Sequence, residues 1–453
     1  MAKTIGIVSL GCAKNQVNAE QMLYLLDAAG YEITTQVEDV DVVIVNTCGF
    51  IESAKSEAIN QILELAALKA EGKIGKILVT GCLPERYRTE LLKELPEVDG
   101  VLGTGSYGDV VEAVDALFAG EKPAFFGDID APEADCSRVL TTPDYYAYLK
   151  IAEGCDNHCA YCVIPSLRGH YRSRPMEKLL EEAQTLADNG VKELIVIAQD
   201  TSRYGIDLYG KRSLAELLRR LCQIDGLRWI RIHYLYPDEI TDELIDVIAG
   251  EDKIVKYLDI PIQHVNDDIL RRMNRRGNKA WLEELFTMLR ARIPGVVIRT
   301  SLIAGLPGED EAAFEELCDF LQEEKLPRVG AFPYSPEEGT PAAKMLNRVD
   351  SDEAQSRAEL VMQVQEQVMD QFSESRLGTT VEVLCDGFDG QAMAYVGRSY
   401  AESPGIDGNI YFTAARDVQA GEFVPVRLTG IMDGDLTGEM TEEDCAHENE
   451  HGQ

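Results

Sequence analysis

Apolar positions in the first 140 residues alternate between two patterns. Near-continuous Val, Ile and Leu runs (TIGIVSLG, DVVIVNT, KIGKILVTG) are separated by segments of helical period (NAEQMLYLLDAAG, SAKSEAINQILELAALKA, ERYRTELLKEL). Strands apolar on both faces, joined by amphipathic helices, predict an open parallel α/β sheet. From 141 to 345 the alternation continues through six strand candidates: YYAYLKIAEG, ELIVIAQD, WIRIHYLY, YLDIPIQ, VVIRTSLIAG and RVGAFPYS. These predict a partial (β/α)6 barrel of parallel strands, open on one side, with its active site at their carboxyl ends. Residues 351–375 have the period of an amphipathic linking helix. The short alternating segments TTVEVLCDGF, QAMAYVGRSY, GNIYFTA and FVPVRLTGIM then predict a small all-β barrel. The expected domains are 1–140, 141–375 and 376–441, followed by a disordered acidic tail at 442–453.

Cysteine placement carries the chemistry. Cys155, Cys159 and Cys162 form a C-x3-C-x2-C triad after the first barrel strand. Three thiolates can hold a cubane iron-sulfur cluster and leave one iron open to the amino and carboxylate groups of S-adenosylmethionine. Structural zinc would need a fourth ligand, and neither a cysteine nor a spaced histidine pair follows closely. His158, adjacent to Cys159, is expected to face solvent. Cys12, Cys48 and Cys82 each end one of the first three apolar runs. Ligands of open parallel sheets bind at the strands' carboxyl ends, so these thiols should converge in one crevice. The alternative, three unrelated buried thiols packing as small hydrophobes, fits the flanking LGC, NTCG and TGC less well. Cys136, Cys222, Cys318, Cys385 and Cys445 show no mutual spacing and are read as bystanders.

Other strand-end groups are candidates for cofactor or substrate contact: Gln199 and Asp200 after the second barrel strand, His233 and Tyr234 within the third, Gln263 and His264 after the fourth. Gly305 and Gly308 in GLPGE either admit close approach of a cofactor or turn the chain into the next helix. The run GTGSYG (103–108), with Asp128 beyond it, matches G-x-G-x-x-G. A dinucleotide fingerprint belongs on the first strand-helix turn, where Cys12 stands, so the run reads as a tight turn into GDVVEAVDALF. RRMNRR with Lys279 is the main basic patch and reads as a solvated helix face.

The 453 residues are 45% hydrophobic, ample for several cores, and carry 43 basic against 79 acidic groups, a formal net charge of -36. That charge repels nucleic acid; it serves solubility or attracts a basic partner. Residues 376–453 hold four arginines and no lysine against fifteen carboxylates, so an RNA footprint is absent from the small barrel. No apolar run reaches membrane-span length, the N-terminus lacks a signal-peptide layout, and the eleven cysteines do not resemble a secreted disulfide framework. A cytoplasmic protein that does not contact a membrane is expected.

With both triads in place, the whole chain resembles the radical S-adenosylmethionine methylthiotransferases, with a C-terminal TRAM-type barrel. CAYCVIPSLRGHYRSRP and AQDTSRYG are similar to the RimO-type branch, which acts on an aspartate of a small-subunit ribosomal protein, protein twelve. The resemblance implies a radical-generating 4Fe-4S cluster on Cys155, Cys159 and Cys162, and an auxiliary 4Fe-4S cluster for sulfur delivery on Cys12, Cys48 and Cys82. It also implies S-adenosylmethionine contacts, for which Gln199, Asp200, Gly305 and Gly308 are the candidates. A 5'-deoxyadenosyl radical would abstract hydrogen from an unactivated C-H bond, a sulfur held nearby would meet the carbon, and a further S-adenosylmethionine would supply the methyl group. The implied product is β-methylthio-aspartate; the partners are a basic ribosomal protein, within its subunit, and an electron donor protein. The acidic barrel disfavours the rival branch, which modifies isopentenyl-adenosine in transfer RNA. A non-catalytic iron-sulfur electron carrier or RNA-binding module would leave the coordination-deficient triad unexplained.

Overall fold

The structure, a computed structural model, describes residues 3–132 and 136–441. The acidic tail and Cys445 lie outside the described residues. In the N-terminal domain β1 (Thr4–Ser9), β2 (Glu32–Thr34), β3 (Val40–Thr47), β4 (Ile74–Gly81), β5 (Gly100–Leu102) and β6 (Ala124–Phe125) form one parallel sheet in the order β2-β1-β3-β4-β5-β6. The strands are apolar on both faces because helices cover both. Met22 and Leu26 of α1 (Ala13–Ala28) pack on Ile5 and Ile44, while Ile62 and Leu65 of α2 (Glu52–Ala70) pack on Val43 and Val79. The three strands that end in cysteine are adjacent, and pairing of Ser9 with Asn46 and of Thr47 with Gly81 brings their carboxyl ends level. The short strands β2, β5 and β6 extend the sheet beyond the three apolar runs.

The run GTGSYG forms a 3-10 turn leading into the helix Val110–Phe118, as expected. A Cβ on Gly105 would lie 2.6 Å from the carbonyl oxygen of Gly127, so this glycine serves contact between two backbones.

The central domain has six parallel strands in the order β7-β10-β11-β12-β13-β14: β7 (Tyr146–Lys150), β10 (Glu193–Ile197), β11 (Trp229–Ile232), β12 (Ile254–Asp259), β13 (Val297–Ala304) and β14 (Arg328–Pro333). A two-residue ribbon, β8 (Ala152–Glu153) with β9 (Arg172–Ser173), lies between the first two. The sheet stays open, as the six-unit pattern predicts. Ala13 and Val17 of α1 pack on Ile195 and Ile197, and the helix Ser351–Arg376 lies along β14.

The C-terminal domain is a closed barrel of β15 (Thr380–Asp389), β16 (Ala394–Arg398), β17 (Ile410–Thr413), β18 (Phe423–Met432) and β19 (Asp435–Met440). The fifth strand was not among the four expected, because DGDLTGE reads as turn residues. Only Asp433 and Gly434 turn, with φ of +52° and +86°, the two left-handed residues of a tight hairpin.

This barrel docks beneath the central one. Trp229 and Phe423 meet edge to face at 4.8 Å, and the segment 399–407 packs against side chains of the central strands. There Ser403 Oγ lies 3.0 Å from His233 Nε2, and Tyr257 donates to Asp407 at 2.7 Å. Much of the small barrel's acidity is spent on this docking or on local pairs: Glu382 on Arg228, Asp386 on Arg398, Glu402 on Arg328 and Arg376, Glu422 on Arg416.

Candidate active site

Cys12 is the N-cap of α1, Cys48 follows β3, and Cys82 opens α3 (Cys82–Tyr87). Their loops touch. Gly11 takes φ +94°, and a Cβ there would lie 2.8 Å from the Cβ of Cys48, so only glycine allows this approach. Buried Asn15 ties the loops together by donating to the Thr47 carbonyl at 2.9 Å and accepting from Asn46 through its own carbonyl at 2.6 Å. Arg168, buried at the end of the short helix Ile164–Arg168, reaches across from the central domain. It donates to Cys82 Sγ at 3.4 Å, to Asn18 at 2.8 Å, to Glu153 at 3.1 Å and to Asn15.

Cys12 is exposed, whereas Cys82 is buried. Desolvation opposes ionisation of the Cys12 thiol, but Lys14 and Arg168 outweigh it and hold the thiol below its ordinary value. Burial, aided by Cys82 and Cys12, pushes Cys48 up to about 12, and burial raises Cys82 against the pull of Arg168. Such thiols keep their protons until a metal displaces them.

The second triad lies on the loop after β8. Cys159 receives Arg275 Nη1 at 3.7 Å and meets the Tyr236 hydroxyl at 3.7 Å; Cys162 Sγ accepts the Ile164 amide at 3.4 Å. Burial pushes Cys155 to about 11; burial and Cys159 raise Cys162. The basic run is therefore not wholly a solvated face: Arg275 is buried, stacked 4.1 Å over the Tyr236 ring and aimed at Cys159. His158 is exposed, as expected, with φ +51°.

Among the described residues no three His, Cys, Asp or Glu side chains could hold a single metal ion. The donor sets instead suit clusters: each has three thiols, with a guanidinium and N-H donors aimed at sulfur, the partners that stabilise iron-bound thiolate.

The remaining candidates separate. Gln199 donates to Glu153, and its buried Oε1 lacks a partner, which leaves it fit to receive a ligand donor. Asp200 is buried and accepts from Asn157 of the cysteine loop at 2.7 Å and from Ser202; it braces the loop. His233 and Tyr234 fall just after β11, not within it. Gln263 follows β12 with φ +72°, and His264 Nδ1 accepts the amides of Val265 and Asn266 at 2.9 and 3.0 Å, ordering the next turn.

Gly305 and Gly308 face protein. A Cβ on Gly305 would lie 2.3 Å from that of Ala354, and one on Gly308 1.8 Å from Arg272 Nη1, both at positive φ. Gly305→Ala should cost about 2 kcal/mol or more in stability, read by thermal unfolding. Loss of S-adenosylmethionine binding without loss of stability would instead point to contact with the cofactor.

Sequence comparison gives this geometry its family. The uncharacterized protein family UPF0004 matches residues 4–103, the radical SAM superfamily 149–321 and the TRAM domain 377–441. A ribosomal protein uS12 methylthiotransferase RimO of Lachnoclostridium phytofermentans is 49% identical over 435 residues, covering 96% of this chain and 99% of the relative. Another so named, of Acetivibrio thermocellus, is 47% identical over 451 residues, covering 98% and 99%. The chain belongs to the RimO methylthiotransferase family. RimO membership makes it a radical S-adenosylmethionine enzyme with an iron-sulfur cluster and favours the ribosomal-protein branch over the transfer-RNA branch. Among solved structures, the radical S-adenosylmethionine methyltransferase TsrM of Kitasatospora setae, with cobalamin and a 4Fe-4S cluster bound, aligns with TM-score 0.56 at 14% identity, over 76% of this chain and 74% of that one. That likeness is one of fold. No helix among the described residues is long and apolar enough to cross a membrane.

Proposed function

We propose that this protein adds a methylthio group to the β-carbon of an aspartate in ribosomal protein uS12, using two 4Fe-4S clusters held by its two cysteine triads. The supporting observation is that each triad's sequence neighbour lies in the other's domain: Arg168, six residues after Cys162, donates to Cys82, and Lys14, two residues after Cys12, lies over Tyr234 at the barrel's strand ends. Contacts between the two domains thus run through the segments beside each triad. Cys155, Cys159 and Cys162 would hold the cluster that, with S-adenosylmethionine, would supply the hydrogen-abstracting radical. The protein's own part is to hold the target carbon between that site and the sulfur-bearing crevice, since positioning alone can remove much of such a barrier. Arg275 and Arg168 offset thiolate charge on either side, Asp200 and Asn157 fix the cysteine loop, and Gln199 offers an acceptor to the cofactor.

The division into 1–140, 141–375 and 376–441, a cytoplasmic location and reduction by an electron donor protein belong to the same reading. Incubating the reconstituted enzyme and reductant with intact small ribosomal subunits, and separately with transfer RNA, should give a methylthio mass increment on an aspartate of uS12 alone. An increment on transfer RNA would overturn the reading.

A further inference from the structure

Lys14 stands out as a buried charge whose neighbours are the Cys12 sulfur and the Tyr234 side chain, with no carboxylate paired to it. The residue is 7% exposed, and its Nζ lies 3.3 Å from the centroid of the Tyr234 ring. Among the described residues no carboxylate stands within ion-pair distance of it. The carboxylate that acts on it from farther away, Asp259, already accepts Arg299 at 2.9 Å and the Tyr234 amide at 3.2 Å. A ring face offsets only part of the cost of taking an ammonium out of water. Interiors hold such a charge where an anion arrives.

The place of this charge limits which anion. Lys14 is the second residue of α1, two after Cys12, and its tip crosses to the strand ends of the central barrel. Tyr234, which supports it, is held at φ +62°, a conformation that tyrosine rarely adopts. Its amide bond to Asp259, together with its carbonyl's acceptance of the Thr201 amide at 3.0 Å, fixes that conformation. The ammonium is therefore set between Cys12 and the strand ends of the central barrel.

We infer that Lys14 is the residue that binds the side-chain carboxylate of the target aspartate. This rests on the proposed function. The carboxylate carbon is one bond from the β-carbon, so fixing the carboxylate at Lys14 fixes the carbon to be thiolated beside Cys12, and an uncharged side chain in the same loop gains no such anchor. The interaction selects aspartate over asparagine, because an amide leaves the buried ammonium without its counter-charge.

The test measures binding of uS12, with its target aspartate or with asparagine there, to the cofactor-loaded enzyme. Wild type should bind the aspartate form roughly thirty-fold or more tighter than the asparagine form, as for a buried charge pair with one partner removed. Lys14→Met, which keeps the side chain's length on the Tyr234 ring, should bind both forms equally; Lys14→Arg should keep a preference for aspartate. Iron content reports whether each variant is folded, and Lys14→Gln, likewise uncharged, takes the place of Lys14→Met if that variant does not fold. If Lys14 only balanced the charge at Cys12, Lys14→Met would weaken both forms alike and keep the wild-type ratio, which would overturn the inference. A wild type that ignores uS12 altogether would overturn the proposed function itself, and this inference with it.

Discussion

Replacing Cys155, Cys159 and Cys162 together by alanine is expected to abolish formation of 5'-deoxyadenosine and to remove about half of the iron, while replacing Cys12, Cys48 and Cys82 keeps 5'-deoxyadenosine formation and loses only thiolation. The two outcomes separate because the triads belong to different domains and each has its own supporting cation. Arg275 serves Cys159, and Arg168 serves Cys82. Iron analysis and electron paramagnetic resonance count the clusters, and chromatography of reductant-treated enzyme reads the cleavage product. Full iron and full product after the second replacement would remove Cys12, Cys48 and Cys82 from the chemistry. Loss of all iron after the first would show that one site cannot assemble without the other.

Both triads were legible in the sequence for different reasons. C-x3-C-x2-C is a local pattern and needs no fold to be seen. Cys12, Cys48 and Cys82 become a set only when three apolar runs are taken as adjacent parallel strands, which the observed order β1-β3-β4 supplies. What escaped notice depends on contacts between domains. Arg168 ends a short helix inside the phrase CAYCVIPSLRGHYRSRP, which does not say where its side chain goes, and Arg275 sits in a basic run whose plain reading is solvent; only packing turns each toward a sulfur. Lys14 was hidden likewise, since a lysine in the first turn of a helix is unremarkable until its tip is found under 4 Å from a ring in another domain. The glycines of GLPGE carry the opposite lesson. Their positive φ was foreseeable, but the side chains they make room for, Ala354 and Arg272, come from elements whose positions no local pattern encodes.

The docking of the small barrel was equally invisible, because charged residues within apolar strands read as interruptions. They form its most consequential contact. Glu193 at the start of β10 is fully buried and accepts Arg231 at 2.7 Å and Arg398 of β16 at 2.7 Å; Arg398 also donates to Asp386 at 2.9 Å, and Arg231 to the Tyr400 carbonyl at 2.8 Å. Glu193→Gln keeps the shape and leaves two buried guanidinium groups short of their counter-charge, an effect expected to destabilise the protein by about 3–5 kcal/mol. Limited proteolysis should then release the small barrel before the central domain unfolds.

The same carboxylate gives the loss a pH signature. Burial favours the neutral acid, but Arg398 and Arg231 outweigh it and hold the Glu193 carboxyl below its ordinary value of 4.5. A folded-state value below the unfolded one means that the charged form stabilises the fold above the unfolded pKa, and that this contribution is lost as pH falls through the folded one. The stability gap between wild type and Glu193→Gln should therefore be constant near neutrality and close progressively below about pH 4.5. Thermal unfolding of both proteins across that range checks it; Glu402, depressed in the same way by Arg376 and Arg328, is common to both and cancels in the difference. A gap that stays constant to the lowest pH would mean that Glu193 does not carry the charge the docking requires.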